Sequence, residues 1–309
     1  MINTEFLNQF KNLPNCIVAT VHKDPDFDAI GSLLAFGELI ELLGGNVDLY
    51  APDLDMHQFK HLPNIEKLST SLAPHYDLAC FLDCSDISRI YKPTKFPQYT
   101  RGINIDHHQD NTLFCKDNLV LPLSSVGEIV YNLYRQLNIP ISKHAAINMY
   151  AAICFDTGNF KFSNTQVSTF TAAADLLSCG INGSQISEWI FENKSMAYLA
   201  DIKEGLNHLY RDANHPYIIV KIPYHEHQSK ESTINFFREC ADTELVIVCK
   251  ETSKNTFKLS FRSKQLVDVA AMAHRYNGGG HIRASGAYIE MPFDQLKDQL
   301  IQHANEVFK

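Results

Sequence analysis

Histidine and aspartate side chains stand at the ends of four apolar runs in the first half of the chain. In chain order they are His22, Asp26 and Asp28 after residues 16–21, Asp83 after 78–82, Asp106, His107 and His108 after 102–105, and Asp156 after the helical pattern 145–155. Carboxylates and imidazoles that converge in a buried place are costly unless they are paired or bound to a metal. Both types are common ligands of divalent metals, so the pattern predicts a metal site.

The arrangement of the carboxylates indicates two metal ions rather than one. Asp26 and Asp28 straddle a turn into a helix, so their side chains can approach one point from two directions. A pair of divalent ions about 3.5–4 Å apart is a common catalytic arrangement, and it needs ligands on both sides and a shared ligand between them. Asp83 stands alone at a strand end, and this position suits a bridging carboxylate.

The adjacent histidines and Asp156 complete this prediction. Neighbouring side chains of an extended chain point apart, so one of His107 and His108 can bind metal while the other faces substrate. Asp156, at the end of a helix, is expected to complete the second metal site. Each group alone has an ordinary explanation: a helix N-cap for Asp26 to Asp28, a core or surface place for the histidines, and a turn after Asp156. Their joint occurrence at element ends favours the metal site.

Short apolar runs alternate with helical patterns through residues 1–185. The strand candidates are 16–22, 47–51, 78–83 and 102–106, and the helix candidates are 28–43, 124–137, 143–155 and 166–179. Such alternation predicts an α/β domain with a mainly parallel sheet. In these sheets ligands bind beyond the carboxyl ends of the strands, where the predicted metal ligands stand.

A second, smaller domain of mixed α/β type is predicted after the break at residues 214–216. Its strand candidates are 217–222, 245–250, 257–262 and 285–290, and its helix candidates are 230–240, 267–276 and 293–307. We therefore predict a larger metal-binding domain at 1–185, a helical linker at 186–215 and a smaller α/β domain at 216–309.

Composition narrows the class of protein. The formal net charge of −8 argues against a broad basic groove for long nucleic acid. No run approaches the ~20 apolar residues of a membrane span, and the N-terminus lacks the pattern of a signal peptide. The eight cysteines show no CxxC pair, which favours reduced, mostly buried thiols. We therefore expect a cytoplasmic protein without a membrane partner; a homodimer is left open.

The ordered motifs resemble the DHH phosphoesterase family. They are a histidine followed by Asp-x-Asp-Ala-x-Gly-Ser in residues 22–32, the strand-end Asp83, Asp-His-His at 106–108, and Asp-Thr-Gly at 156–158. Gly-Gly-Gly-His at 278–281 is similar to the DHH-associated substrate domain. The two-domain length most resembles the bacterial nanoRNase/pAp phosphatase subgroup, and the resemblance spans nearly the whole chain.

The resemblance implies a role for each motif residue. Two divalent ions, expected to be Mn²⁺, would be held by His22, Asp26 and Asp83 and by Asp28, Asp83, His107 and Asp156. Asp83 would bridge them. His108 would act near the scissile phosphate as hydrogen-bond donor or general acid, and Asp106 would orient the histidines. One departure from the family pattern is Phe27, where glycine is common, and its side chain is expected to point away from the metals or line the substrate cleft.

The second domain carries the expected substrate-binding residues. Glycines at 278–280 allow close approach of backbone to a ligand, and successive N–H groups of such a loop can bind an anion. Arg262 at a strand end can hold a phosphate through two hydrogen bonds. By the resemblance, Arg262, Ser263, Gly279, Gly280 and His281 would bind the phosphate or terminal nucleotide of a short substrate.

The resemblance implies two-metal hydrolysis of very short oligoribonucleotides to 5′-mononucleotides, with pAp as a second substrate. The main alternative is a phosphodiesterase for cyclic di-AMP or the linear dinucleotide pApA, which the same motifs would serve. An inorganic pyrophosphatase or exopolyphosphatase is disfavoured by the glycine segment. A non-catalytic nucleotide-binding module is disfavoured because no metal ligand is missing. The partners expected are short RNA or small nucleotides.

Overall fold

The structure is a computed structural model that describes residues 2–51, 54, 56–69, 71–90, 96–229 and 232–309. The chain divides into two compact units, Met1–Asn193 and Lys194–Lys309. The elements of the first unit are α1 (Thr4–Asn8), β1 (Ile17–Thr20), α2 (Phe27–Leu42), β2 (Val47–Tyr50), α3 (Met56–Phe59), β3 (Leu68–Ser69), β4 (His75–Leu82), β5 (Gln98–Asp106), β6 (Asp117–Val120), α4 (Val126–Gln136), α5 (Lys143–Asp156), α6 (Val167–Ser178) and α7 (Gly183–Phe191). Single 3₁₀ turns occur at Ile65–Lys67 and Ile87–Arg89.

Six strands within the described part of the first unit form one parallel sheet in the order β3-β2-β1-β4-β5-β6. The chain builds outward from β1 to β3 in one direction and then returns to build outward from β4 to β6. The carboxyl ends of β1 and β4 therefore flank the point where the strand order reverses. Ligands of open α/β sheets bind in the crevice at this point. The predicted parallel α/β class is confirmed.

The two faces of this sheet bury different side chains. Ile17 and Ala19 of β1 face the main core, which also contains the inner sides of α2, α4 and α5, whereas Val18 faces a smaller cluster with Tyr76 and Phe81. Helix α2 is buried over most of its length and lies very close to α5. A Cβ on Gly31 would be 2.4 Å from the carbonyl oxygen of Asn148, so this close packing requires glycine.

The second unit is a mixed sheet covered by helices. Its elements are α8 (Met196–Asn207), β7 (Leu209–Arg211), β8 (Tyr217–Ile222), α9 (Ile234–Arg238), β9 (Leu245–Ser253), β10 (Thr256–Ser263), α10 (Val269–His274), β11 (Gly279–His281), β12 (Ala284–Glu290) and α11 (Phe293–Val307). The strand order is β11-β12-β10-β9-β8-β7; β8 and β9 are parallel and the other neighbours are antiparallel. Side chains of α10 and α11 cover one face and those of α8 and α9 cover part of the other.

Residues 186–215 are predicted as a helical linker. In the structure, the first part of this segment belongs to the first unit and the rest to the second. Ile186 and Ile190 of α7 pack in the core of the first unit, and Ile202 of α8 packs in the second. The division after Asn193 falls in the short connection between these helices. The domain limits given in the sequence analysis stay predictions.

Two parts of the second unit differ from the sequence prediction. Helix α9 occupies Ile234–Arg238 of the predicted 230–240, of which residues 230 and 231 lie outside the described residues. The glycine-rich segment was predicted as a loop, but Gly279–His281 forms the edge strand β11 paired with β12. A Cβ on Gly278 would be 2.1 Å from the carbonyl oxygen of Gly286, and Gly280 has φ of +135°, so these glycines permit close strand pairing.

Candidate metal centre

The loops after β1 and β4 bring His22 and Asp83 together. The Nδ1 atom of His22 is 2.7 Å from the carbonyl oxygen of Lys23, so Nδ1 carries the proton. This leaves Nε2 of His22 facing Oδ2 of Asp83 at 3.3 Å. Asp83 follows β4 directly with φ of +54°, and its N–H donates to the carbonyl of Ile105. This left-handed conformation turns the aspartate out of the strand toward the crevice.

Asp26 and Asp28 are held by helix N-termini. Asp26 is the N-cap of α2, and its Oδ1 accepts hydrogen bonds from the N–H groups of Asp28 and Ala29. The Asp28 carboxylate is fully buried and accepts from the N–H groups of Val126 and Gly127, at 2.8 and 2.9 Å, at the start of α4. Both carboxylates therefore lie at the positive ends of helix dipoles, which stabilise negative charge there.

His107 faces three of the carboxylates. Its Nδ1 is 3.2 Å from the carbonyl oxygen of Leu123, so the ring again directs Nε2 into the site. This Nε2 atom is 3.2 Å from Asp156 Oδ2, 3.6 Å from Asp83 Oδ1 and 3.7 Å from Asp28 Oδ2. Carboxylates from β4, α2 and α5 thus surround one imidazole nitrogen.

His108 points differently from its neighbour. The two rings are inclined by 75°, and Nδ1 of His108 donates to Oδ1 of Asp106 at 2.8 Å. The buried Asp106 also accepts from the N–H of His107 at 2.8 Å. Asp106 therefore fixes the ring of one histidine and the backbone of the other.

Two asparagines that the sequence analysis did not single out support Asp106. Asn111 donates to Asp106 Oδ2 at 2.5 Å and to Asn104 Oδ1 at 2.8 Å. Asn104 is fully buried within β5 and donates to the carbonyls of Phe81 and Cys84. A polar residue inside an apolar strand was a visible signal for Asn104. The position of Asn111 depends on the fold of the following loop and carried no such signal.

The charges of these groups depend strongly on one another. Burial raises the pKa values of Asp26 and Asp28, and the charge of Asp83 raises them further. Burial alone would raise the pKa of Asp83, but hydrogen bonding to His22 and the charges of the histidines hold it well below its usual range. Burial alone would lower the pKa of His22, but its contact with Asp83 raises it to about 9. The aspartates thus repel one another, and cations relieve that repulsion.

The residues present fit divalent cations. Among the groups of donor atoms that lie within 4.8 Å of one another are those of His22, Asp26 and Asp83, and those of Asp28, His107 and Asp156. Within the part of the chain that the structure describes, the buried Oδ1 of Asp83 receives no hydrogen bond. A buried carboxylate oxygen without a donor is costly, and a metal ion would satisfy it. Carboxylate oxygens suit Mn²⁺ or Mg²⁺, and imidazole nitrogens suit transition metals such as Fe²⁺ or Zn²⁺, so the mixed donor set fits a divalent metal.

The sequence matches two known domains at the positions of the two units. Residues 16–153 match the DHH family N-terminal domain, and residues 214–309 match the DHHA1 domain. The chain thus carries a DHH domain followed by a DHHA1 domain. The first of these domains contains His22, Asp83 and the Asp-His-His motif at 106–108, and Asp156 follows it by three residues.

Similar proteins cover most of the chain. The bifunctional oligoribonuclease and PAP phosphatase NrnA of Thermus thermophilus is 26% identical over 94% of this chain and 89% of its own length. The crystal structure of an exopolyphosphatase-related protein from Bacteroides fragilis gives a TM-score of 0.87 at 22% identity, over 99% of this chain and 98% of that chain. RecJ in complex with Mn²⁺ from Thermus thermophilus gives a TM-score of 0.53 at 14% identity, over 98% of this chain and 53% of that chain. The two solved structures show a shared fold.

In the DHHA1 domain, strand register aligns Arg262 and His281. Both residues pair with Ala284 of β12, Arg262 from β10 and His281 from β11. Residues directly opposite in antiparallel pairs share a face, so both side chains lie on one face of the sheet, with backbones about 10 Å apart. Gly279 and Gly280 form the edge of the same region.

Ser263 and Phe27 have buried places in the structure. The Ser263 side chain is fully buried, and its hydroxyl donates to the carbonyl of Val267 at 2.6 Å. Its proton is therefore not available to a phosphate. Phe27 is 3% exposed and packs against Phe59 and Phe155, with ring centroids 4.8 and 5.8 Å apart. The aromatic side chain thus belongs to the core of the first unit.

Proposed function

We propose that this chain is a two-metal phosphoesterase whose metal ions are bridged by Asp83. The observation that carries the proposal is the position of this one carboxylate. Its Oδ2 is 3.3 Å from His22 Nε2 in one donor group, and its Oδ1 is 3.6 Å from His107 Nε2 in the other. A carboxylate in this position would be able to contribute to the binding of both metals.

The ligand assignment follows from these two groups. We assign His22, Asp26 and Asp83 to one ion, and Asp28, Asp83, His107 and Asp156 to the other. Bound there, two cations would neutralise phosphate oxygens and supply a nucleophilic hydroxide at neutral pH. The RecJ structure that shares this fold contains Mn²⁺. This supports Mn²⁺ as the ion.

His108 is the proposed proton donor. Burial alone would lower the pKa of His108, but the hydrogen bond to Asp106 and the charge of Asp106 raise it, which favours the protonated ring. Since Nδ1 is bonded to Asp106, the proton on Nε2 is the one that His108 can offer. It would hydrogen-bond the scissile phosphate and protonate the leaving oxygen. Asp106 acts through His108 as a positioning residue.

The proposed substrates are short oligoribonucleotides, hydrolysed to 5′-mononucleotides, and pAp, hydrolysed to AMP. The NrnA relative is named for both activities and covers nearly the whole chain. The net charge of −8 disfavours extended contact with long RNA.

In the DHHA1 domain we assign substrate binding to Arg262, Gly279, Gly280 and His281. We leave out Ser263 because its hydroxyl proton is engaged in a hydrogen bond to the carbonyl of Val267. We expect this enzyme to act in the cytoplasm; in the described residues no helix is long and apolar enough to span a membrane.

The test is product analysis with Mn²⁺ on a matched panel of substrates. RNA of two to seven nucleotides, a 24-mer, pAp, pApA and cyclic di-AMP would be compared at equal concentration. Asp83→Asn removes the bridging charge, and Asp110→Asn is the control because Asp110 is an exposed aspartate of the same domain. We expect preference for two- to five-nucleotide RNA, a loss of about a hundredfold or more in Asp83→Asn, and unchanged activity in the control.

Two results would contradict the proposal. Preference for cyclic di-AMP would reassign the substrate and leave the metal site in place. Equal activity of Asp83→Asn and wild type would remove the bridging role and with it the two-metal account.

A further inference from the structure

The turn at residues 123–127 leads into α4 and is bonded to the second donor group, which is Asp28, His107 and Asp156. The carbonyl oxygen of Leu123, at the start of the turn, is 3.2 Å from Nδ1 of His107. The N–H groups of the last two residues of the turn donate to the carboxylate of Asp28 at 2.8 and 2.9 Å. The orientations of His107 and Asp28 therefore both depend on the position of this turn.

Asn164 connects the same turn to Asp156, the remaining residue of the second donor group. Its Nδ2 atom donates to the carbonyl of Ser124 at 3.0 Å and to the carbonyl of Asp156 at 3.1 Å. Asp156 is the last residue of α5, so this bond fixes the end of the helix from which its carboxylate projects. A displacement of the turn would thus reach all three residues of the group.

The hydrogen bonds of the other donor group lead elsewhere. Nδ1 of His22 bonds to the carbonyl of Lys23, and Asp26 accepts from N–H groups in the first turn of α2. These bonds lie within residues 22–29. The turn at 123–127 therefore supports one side of the candidate metal centre.

Glu128 holds this turn from within the core. Glu128 is 1% exposed, and its Oε2 accepts from the N–H of Ser124 at 3.2 Å and from the Ser124 hydroxyl at 2.5 Å. The hydroxyl of Thr169 donates to the same oxygen at 2.9 Å. An acidic residue at this position of a helix usually bonds to the N–H of the N-cap residue, which is Ser125 here. Glu128 instead binds the residue before the cap, whose carbonyl is the one that Asn164 contacts.

The environment of Glu128 makes it a costly way to stabilise a fold. The donors to its Oε2 are neutral groups, and its Oε1 receives no hydrogen bond from any residue that the structure describes. A buried carboxylate with an unsatisfied oxygen is unfavourable compared with an apolar side chain of similar size. The main effect of the carboxylate is therefore expected in the position of Ser124 rather than in the stability of the fold.

We propose that Glu128 is a positioning residue for one metal ion only, the ion held by the second donor group. The inference rests on the proposed two-metal function. Through Ser124 the carboxylate fixes the turn, and the turn in turn orients Asp28, His107 and the end of α5. Loss of a group that orients metal ligands typically lowers metal affinity about 10- to 100-fold.

The test is equilibrium dialysis with Mn²⁺, which counts the bound ions and gives their dissociation constants. Glu128→Ala and Asn164→Ala break the support at two points, and Asn182→Ala is the control because Asn182 only caps α7 in the same unit. We expect two ions in wild type and control. In both test variants one ion should bind nearly as in wild type and the other about 10- to 100-fold more weakly. Glu128→Gln keeps an acceptor oxygen for Ser124 and should bind both ions nearly as wild type does.

Double variants identify which ion is affected. His22→Ala acts on the first side of the centre, so its combination with Glu128→Ala should weaken both ions. Asp156→Ala acts on the same side as Glu128, so this combination should still bind one ion as tightly as Glu128→Ala alone. The reverse pattern would contradict the assignment of Glu128 to the second donor group.

Two results with the single variants would overturn the proposal. These are wild-type affinity for both ions in Glu128→Ala and Asn164→Ala, and equal weakening of both ions in these variants. Asn164 is only half-buried, so Asn164→Ala decides the outcome if Glu128→Ala does not fold. A wild type that binds fewer than two ions is a different result, because it contradicts the two-metal function itself.

Discussion

Two buried carboxylates, Asp83 in the first unit and Asp201 in the second, are balanced in different ways. Asp201 is fully buried, and the protein satisfies it: Lys250 Nζ is 2.6 Å from one oxygen and His225 Nε2 is 2.7 Å from the other. Asp83 is equally enclosed but shares its site with four other aspartates, and its Oδ1 receives no hydrogen bond from any described residue. The protein itself supplies partners for both oxygens of Asp201, whereas we expect divalent cations to complete the cluster of aspartates and histidines around Asp83.

The cluster around Asp201 therefore contributes to the stability of the fold, whereas the cluster around Asp83 is suited to binding metal. A buried charge with its partners in place stabilises the fold only as long as every partner remains. A cluster with more carboxylates than histidine cations is destabilised by charge repulsion until metal binds, and relief of that repulsion contributes to metal affinity. Variants around Asp201 should therefore affect the metal-free and metal-loaded protein equally, whereas Asp83→Asn should act mainly on the metal-loaded protein.

The largest effect on stability is expected from removing a partner of the buried Asp201. Lys250→Met leaves Asp201 buried without its cation, and this should lower the free energy of unfolding by about 3–5 kcal/mol. Urea unfolding in EDTA and in Mn²⁺ would measure the free energy of unfolding. The decrease should be the same in the two solutions. A loss confined to the metal-loaded protein would mean that the two clusters are not independent.

Metal removal should have the next largest effect on stability, and it should act only through the cluster around Asp83. At a Mn²⁺ concentration of about 10 times the dissociation constant, each filled site adds about 1.4 kcal/mol to the free energy of unfolding, or about 2.8 kcal/mol for the two sites. EDTA should therefore lower the melting temperature of wild type and of Asp110→Asn, but leave that of Asp83→Asn nearly unchanged. An equal EDTA effect on Asp83→Asn would contradict the assignment of the bridge.

Asn111 should affect catalysis more than stability. Asn111→Ala removes the donor to Asp106 Oδ2 and loosens the residue that orients His108. Loss of such an indirect support typically reduces activity or metal affinity about 10- to 100-fold. Steady-state kinetics should show this decrease mainly in kcat, with a flatter pH profile on the side governed by His108. An unchanged pH profile would indicate a purely structural role.

The smallest effect concerns pH. Because the His22 pKa is raised to about 9, this ring is protonated at neutral pH and must lose its proton before Nε2 can bind metal. Metal affinity should therefore fall about tenfold for each unit below pH 9, as one displaced proton requires. Calorimetric titration of Mn²⁺ at pH 7 and 8, in two buffers of different ionisation enthalpy, would measure affinity and proton release. Equal Mn²⁺ affinity at pH 7 and pH 8 would contradict the expected release of a proton from His22.

Much of the fold could be predicted because its signals are local. Buried parallel strands appear as apolar runs, and polar residues that follow them reach the same edge of the sheet, so His22, Asp83 and Asp106 could be placed from the sequence. The Asp-x-Asp turn likewise predicted the start of α2. These positions depend on chain order and strand direction alone.

The remaining features depend on contacts between distant segments. Asp28 is bonded to the start of α4, 98 residues later, and no local pattern records that contact. The glycine segment forms strand β11 because of its pairing with β12, although its composition is typical of a loop. The buried place of Phe27 likewise depends on Phe59 and Phe155, which lie far from it in the sequence.

The most direct test of the account is electron paramagnetic resonance of the protein titrated with Mn²⁺, together with equilibrium dialysis to count bound ions. A carboxylate bridge brings two ions to about 4 Å, where their spins couple. The account predicts two Mn²⁺ per chain with a spin-coupled spectrum in wild type, and loss of the coupling in Asp83→Asn but not in Asp110→Asn. A wild-type spectrum of isolated Mn²⁺ at full occupancy, or coupling that survives Asp83→Asn, would contradict it.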